Sequence, residues 1–199
     1  FSETIEQVAR SASRDETRPH LTGILLSIED DKLRSVATDS YRLAEKRMKV
    51  RQGTEPVACI VPGRTAAEIA RLLTSVRGTG ETEENVRLHL TQNQIGFRFG
   101  MVDMVSRLIE GAYPDYAQII PTQFRTTASF PVDVFIKKVK AASLFTTAGV
   151  NAVVLDVKAK EQVMSLSSTS TQTGEHTGEV EAHVEGEENS ILLNHRYII

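Results

Sequence analysis

Cysteine occurs once among the 199 residues, at Cys59. A lone thiol excludes an internal disulfide framework and suits a reducing cytoplasm. Long apolar runs are also missing: none approaches the ~20 residues that a membrane-crossing helix needs. The opening residues Phe1-Ser2-Glu3-Thr4 lack the basic start and apolar core of a secretory leader. No initiator methionine is present, so the expectation is a chain that begins inside a longer protein and stops as abruptly at Arg196-Tyr197-Ile198-Ile199. Nor is there an excess of positive charge. The 23 Lys and Arg against 26 Asp and Glu leave a net charge of −3, whereas a basic patch is the usual footprint of a nucleic-acid binder. If this chain meets DNA, its cations must be gathered on one face against an acidic remainder.

Recognisable catalytic chemistry is equally scarce. His20, His89, His176, His183 and His195 make no zinc-like spacing with Cys59 or with one another. Asp39 and Asp103 are isolated carboxylates, and Asp115 sits in a Pro-Asp-Tyr turn. Gly78-Thr79-Gly80 lacks the Lys-Ser/Thr that completes a phosphate cradle. No Ser or Cys has a visible base partner. The expectation is a protein without metal, cofactor or catalysis of its own.

What the chain does have is internal repetition. Three helix-plus-hairpin units recur at roughly 60–70 residues, each better read as half a domain than as a solenoid repeat. The first predicts a helix over 2–14, strands over 21–29 and 32–38, and a turn at Asp30-Asp31. The second predicts a helix over 64–76 and strands over 86–91 and 94–99. The third predicts a helix over 132–145 and strands over 152–157 and 162–168. An acidic ribbon over 175–188, a return strand over 191–193 and a helix start at Asn194 follow.

Helix assignments rest on the 3.6-residue period. Phe1, Ile5, Val8, Ala9 and Ala12 share a face, with Ser2 as N-cap and Phe1 stapling from outside. Ala66, Ala67, Ile69, Ala70, Leu72 and Leu73 make a broad face in the second helix. Phe135, Val139 and Ala142 do so in the third, joined by Val134 and Ile136. Strand assignments rest on alternation, clearest at Ile95, Phe97 and Phe99. Helices on one side of antiparallel strands make an α+β fold.

The stretch from Val36 to Ala44 ends one alternating run and opens another. Asp39 and Ser40 suit a tight turn, because their side chains bond nearby backbone N–H groups. Alternation then places Tyr41 and Leu43 on one face and Arg42 on the other. Such a corner lines a surface pocket for a peptide, or it packs its own core. Both readings stay open at this level.

Charge is unevenly placed. Lys137 and Lys140 lie three apart on the third helix with Lys138 nearby, and its one acid, Asp133, suits the helix N-terminus. Arg64 and Arg71 share a polar face of the second helix, and the first helix carries Arg10 and Arg14 late. Acids concentrate instead at Glu81-Thr82-Glu83-Glu84 and Glu185-Gly186-Glu187-Glu188. Scattered helix cations hold duplex phosphates without reading bases; the alternative is an ordinary solvated helix face.

Residues 36–44 resemble the A-T-D-G/S-H/Y-R-L-A signature of the bacterial beta sliding clamp family, the beta subunit of DNA polymerase III. Ile60-Val61-Pro62-Gly63-Arg64 resembles its strand-to-helix junction. Ser106-Arg107-Leu108-Ile109-Glu110-Gly111-Ala112-Tyr113-Pro114-Asp115-Tyr116 resembles its S-R-L-I-E-G-x-[FY]-P-D-Y segment, the most specific of the three. The resemblance runs essentially end to end. Tyr41 stands where many relatives have His, and Ser40 where many have Gly.

The resemblance implies the DNA-clamp fold, two-layer domains of repeated helix and antiparallel sheet with helices lining a ring interior. It implies a complete middle domain over 1–121, a linker over 122–129 and a partial third domain over 130–199. It implies a cytoplasmic, nucleoid-associated and non-catalytic subunit of a polymerase holoenzyme. By the same resemblance, the full-length protein would be a homodimer ring that encircles double-stranded DNA and is opened by a clamp loader, and it would tether the replicative polymerase and other motif-bearing proteins through a peptide groove. The matching groove positions are Leu21, Thr38, Ser40, Tyr41, Arg42, Leu43, Pro114, Gln118, Ile119, Val150, Asn194 and Tyr197. Leu21, Leu43, Pro114, Ile119 and Val150 would bury apolar anchors, while Arg42, Asn194 and Gln118 would bond the peptide's backbone or its glutamine. Gln118 stands where some relatives have a basic residue. The DNA-facing candidates are Arg64, Lys137 and Lys140, followed by Arg10, Arg14 and Arg71; Leu144 and Phe145 match the subunit interface. Two alternatives remain: a non-replicative α+β interaction module, and a hydrolase whose acids include Asp39 and Asp103.

Overall fold

The apolar spacing at the start of the chain closes into α1 (Ser2–Ala9), which buries Ile5 and Val8. The computed structural model describes residues 1–51, 56–77, 85–147 and 149–199. The helix is shorter than the predicted 2–14 and is capped differently. Phe1 occupies the N-cap position without a side-chain cap, and the buried Ser2 hydroxyl donates instead to the Ala70 carbonyl at 3.1 Å. Beyond Ala9 the amides of Ser11 and Ala12 bond carbonyls three residues back, and the Ser13 amide turns away to the Leu21 carbonyl at 2.9 Å. Serine at alternate positions competes poorly for helix, so Arg14 falls outside it.

A 3-10 turn, η1 (Pro19–Leu21), then leads into four strands: β1 (Gly23–Glu29), β2 (Lys32–Thr38), β3 (Leu43–Lys49) and β4 (Val57–Pro62). They form one antiparallel sheet in the order β3-β2-β1-β4. Gly63 begins α2 (Gly63–Arg77) directly after β4, and β5 (Arg87–Leu90), β6 (Gln94–Phe99) and β7 (Val102–Arg107) build a second sheet in chain order. An isolated bridge between Ile60 and Ile109 ties the exit from β7 to β4. The core of this unit lies between the helices and both sheets: Ile5, Val8, Leu26, Ile69, Phe97 and Phe99 are all buried. Ile95, Phe97 and Phe99 point inward together, as the period-2 pattern predicts.

The chain divides into two units, residues 1–115 and 116–199. Residues 116–121, assigned above to the first domain, therefore belong with the second, where η2 (Tyr116–Ile119) opens the unit. The expected linker over 122–129 also changes. Its last four residues form β8 (Thr126–Ser129), paired with β12 (His183–Gly186); the alternation in Thr-Thr-Ala-Ser was masked by its polarity. Next come α3 (Val132–Ser143), β9 (Ala152–Lys158), β10 (Val163–Ser170), β11 (Gly174–Glu181), β13 (Asn189–Asn194) and η3 (His195–Tyr197). The main sheet runs β11-β10-β9-β13. Phe135, Val139 and Ala142 bury against Val153, Met164 and Leu166. The Ser168 hydroxyl stitches sheet to helix by donating to the Ala142 carbonyl at 2.7 Å. Val134, placed above on the apolar face, is exposed.

The two main sheets share one plan. A helix is followed by three antiparallel strands, and a fourth returns beside the first before a helical turn begins, α2 in one unit and η3 in the other. This repeated helix and antiparallel-sheet organisation is the clamp fold.

Candidate functional site

The turn between β2 and β3 is built almost entirely from its own polar atoms. Asp39 Oδ1 accepts the amide hydrogens of Tyr41 and Arg42, both at 3.0 Å. The Thr38 hydroxyl accepts from the Ser40 amide at 3.1 Å and donates to the Arg42 carbonyl at 2.7 Å. Ser40 takes φ of +77°, a left-handed conformation that costs a side-chain-bearing residue about 1–3 kcal/mol unless its surroundings hold it. The same geometry makes glycine a natural occupant.

Three further segments of the first unit brace this turn. The Arg18 guanidinium, one residue before η1, donates to the Ser40 hydroxyl at 2.8 Å. The Arg42 guanidinium lies 3.2 Å from Asp39 Oδ2 and donates to the Arg10 carbonyl at 2.5 Å, at the end of α1. The Thr38 amide donates to the Tyr113 hydroxyl at 3.1 Å. Arg18 and Tyr113 have no place in the sequence-derived set; no linear spacing couples them to the turn.

Tyr41 stands at the tip of this frame with 80% of its surface exposed. Strand geometry begins only at Leu43, so the expected shared face of Tyr41 and Leu43 does not form, and Tyr41 takes no part in the core. Leu43 and Arg42 are half-buried, Ser40 and Pro114 are exposed, and Thr38 and Leu21 are buried. Leu21 therefore offers little surface. In the second unit, Gln118 and Ile119 lie exposed on η2. Val150 is exposed just before β9, Asn194 ends β13 and Tyr197 ends η3. Asn194 pairs with Ala152, the His195 amide bonds the Asn151 carbonyl at 3.0 Å, and the Asn194 side chain caps η3 by accepting from the Arg196 amide at 3.0 Å.

The helix cations fall into two groups. Arg10 pairs with Glu6 at 3.2 Å and Arg71 with Glu68 at 2.5 Å. Arg64, Lys137 and Lys140 are exposed on α2 and α3, and Arg14 in the loop after α1, without an ion pair to a described residue. Lys138 instead lays its stem over β11, where a Cβ at Gly178 would meet Lys138 Cδ at 3.2 Å. At the end of α3, Leu144 is 72% exposed, whereas Phe145 stacks on His176 with ring centroids 5.4 Å apart. The acidic run 81–84 and Gly78-Thr79-Gly80 lie outside the described residues.

The isolated acids are each engaged by an arginine. Asp39 is bound to Arg42, and Asp103 to Arg98 at 2.6 Å; the Arg98 hydrogen bond holds the Asp103 carboxyl below its ordinary range. An acid kept ionised in this way is poorly suited to proton donation. Among the described residues, no group of three or more His, Cys, Asp or Glu is arranged to hold a metal ion.

Comparison with known proteins agrees with this architecture over the whole chain. Residues 1–115 match the family model of the DNA polymerase III beta subunit, central domain, and residues 117–199 match that of its C-terminal domain. The beta sliding clamp of Staphylococcus aureus is 33% identical over 196 residues, covering 98% of this chain and 50% of that protein. Among solved structures, the DNA polymerase III beta chain of Streptococcus pneumoniae superposes with a TM-score of 0.87 at 32% identity, over 98% of this chain and 50% of that one. The DNA polymerase sliding clamp of Bacillus subtilis does so with a TM-score of 0.89 at 29% identity, over 99% and 51%. This chain spans about half the length of the curated relatives it matches. A helix followed by three antiparallel strands in each unit, the Thr38–Leu43 turn, and two adjoining family matches place the chain in the DNA polymerase III beta subunit family.

Proposed function

We propose that this chain is the middle and part of the third domain of a DNA sliding clamp. In this reading the complete protein is a homodimeric ring in the cytoplasm that encircles duplex DNA. It raises processivity by tethering the replicative polymerase, and a clamp loader opens it. It does no catalysis, because a closed ring holds DNA by topology. The exposed cations of α2 and α3 supply weak, salt-sensitive and sequence-blind phosphate contacts, which permit sliding. Leu144 and Phe145 contribute to the joint between subunits.

The single observation that carries the docking role is Tyr41. An aromatic ring held 80% exposed on a turn whose Asp39 carboxylate and Thr38 and Ser40 hydroxyls are all engaged is pre-organised for a partner, which lowers the ordering cost of binding. Thr38, Ser40, Arg42 and Leu43 belong to the same turn, and Pro114 follows Tyr113, whose hydroxyl accepts from the Thr38 amide. The ligand is a short Gln/Leu/Phe-rich peptide presented by polymerases and other replication factors.

Titration of a labelled Gln-Leu-x-Leu-Phe peptide tests this. Saturable binding that weakens at least ~10-fold in Tyr41→Ala and Leu43→Ala supports it, since truncating an anchor typically removes over ~1.4 kcal/mol. Equal binding by the wild type and both variants rejects the docking site. Metal-dependent hydrolysis abolished by Asp39→Asn would favour a hydrolase instead.

A further inference from the structure

Thr38 closes β2 in register with Leu43 of β3 on one side, but on the other side the β1 ladder has already ended. Pairing between β1 and β2 stops at Leu25 and Val36, two residues short of it. The Tyr113 hydroxyl fills that vacancy from 75 residues away, at 3.1 Å. Tyr113 is placed to do so because the chain leaving β7 is pinned to β4, where the Ile109 amide donates to the Ile60 carbonyl at 2.9 Å. Beside this crossing lies a cavity of about 390 Å³ whose walls include Tyr113, Ile60 and Leu25. Tyr113 therefore joins the Ile109 crossing to the first residue of the docking turn.

We propose that Tyr113 is a positioning residue for peptide docking, acting through the Thr38 amide rather than by touching the peptide. This rests on the docking role proposed above. Thr38 carries two more of the turn's bonds through its hydroxyl, to the Ser40 amide and the Arg42 carbonyl. Ser40 sits in a left-handed conformation that only a held turn sustains. Releasing the Thr38 amide loosens the residue on which both bonds depend, and Tyr41 then samples orientations in which a peptide finds no fixed ring. A part-buried amide left without an acceptor also favours rearrangement toward water. Affinity falls through lost pre-organisation, with no contact to the ligand removed.

The test is Tyr113→Phe in the 199-residue chain, which keeps the ring and its cavity wall and deletes the hydroxyl alone. The expected result is a ~3–10-fold rise in Kd for the labelled Gln-Leu-x-Leu-Phe peptide. In a Tyr41→Ala background the same substitution should change Kd less than about 2-fold, because the two residues act on one event. Hydrogen exchange at the Thr38 amide should accelerate at least ~10-fold, while the Leu33 amide inside β2 stays protected. Tyr113→Phe binding like the wild type, or weakening additively with Tyr41→Ala, overturns this inference alone. Unchanged Thr38 exchange overturns it whether or not peptide binds. A wild-type chain that binds no peptide overturns the docking role itself.

Discussion

The Asp39 carboxylate divides its two oxygens between backbone and side chain: Oδ1 takes the amides of Tyr41 and Arg42, and Oδ2 faces Arg42 Nε at 3.2 Å. One residue thus shapes the turn and holds the arginine that reaches back to α1. Asp39→Ala should destabilise the first unit by about 1–2 kcal/mol, the loss expected when such bonds are removed from a largely buried side chain. Asp39→Asn keeps an acceptor for the amides and loses only charge, so about 0.5–1 kcal/mol is expected. Urea unfolding of the two variants measures the difference. Equal losses would show that the ion pair, rather than the amide bonds, holds the turn.

The helix cations should separate by whether an acid already occupies them. Replacing Lys137 and Lys140 by alanine should lower the slope of log K against log salt for duplex DNA by up to about 2, at ~0.9 per phosphate contact. Arg71, bound to Glu68, should contribute less, and Glu68→Gln should strengthen binding by freeing it. Fluorescence anisotropy of a labelled duplex at several salt concentrations reads both. A slope unmoved by the double lysine change would remove α3 from the DNA-facing set.

Cys59 is held in its neutral form by burial, which pushes the thiol from 9.0 up to about 11. The unfolded chain releases this proton from about pH 9 while the folded chain keeps it. The linked stability is therefore complete below about pH 9 and falls as pH rises toward about 11. The nucleophile is the thiolate, so iodoacetamide at pH 8 should label the native chain far more slowly than the urea-unfolded chain. Thermal midpoints of wild type and Cys59→Ala between pH 8 and 11 should converge as the pH rises. Rapid native labelling at pH 8 would contradict the burial of this thiol.

Leu144 and Phe97 offer a contrast between surface and interior. Phe97 is 1% exposed in the first core, and Phe97→Ala should cost about 3–5 kcal/mol. Leu144 is 72% exposed, and Leu144→Ser should stay within about 0.5 kcal/mol in unfolding of this chain. A large Leu144 effect would place it in the core and weaken its assignment to a subunit joint.

Where a pattern is local, the chain order declared it. The alternation at Ile95, Phe97 and Phe99 became an inward face of β6, and Phe135, Val139 and Ala142 became the buried stripe of α3. Both follow from periods of two and 3.6 residues against a single apolar side. Local polarity misled where a tertiary partner intervened. Ser2 looked like a cap and instead bonds α2, and Thr126–Ser129 looked like a linker and instead pairs with β12.

The primary structure by itself determined the repeated elements, the tight turn at Asp39-Ser40 and the absence of any familiar catalytic spacing. The fold decided which atoms hold that turn. Its braces come from residues 22, 32 and 75 positions away, at Arg18, Arg10 and Tyr113. Hydrogen bonds depend on distance and angle in space, and separations of that size carry no periodic trace along a chain. The exposure of Tyr41 likewise belongs to the fold, because alternation assigns a face only after a strand has begun, and here it begins two residues later at Leu43.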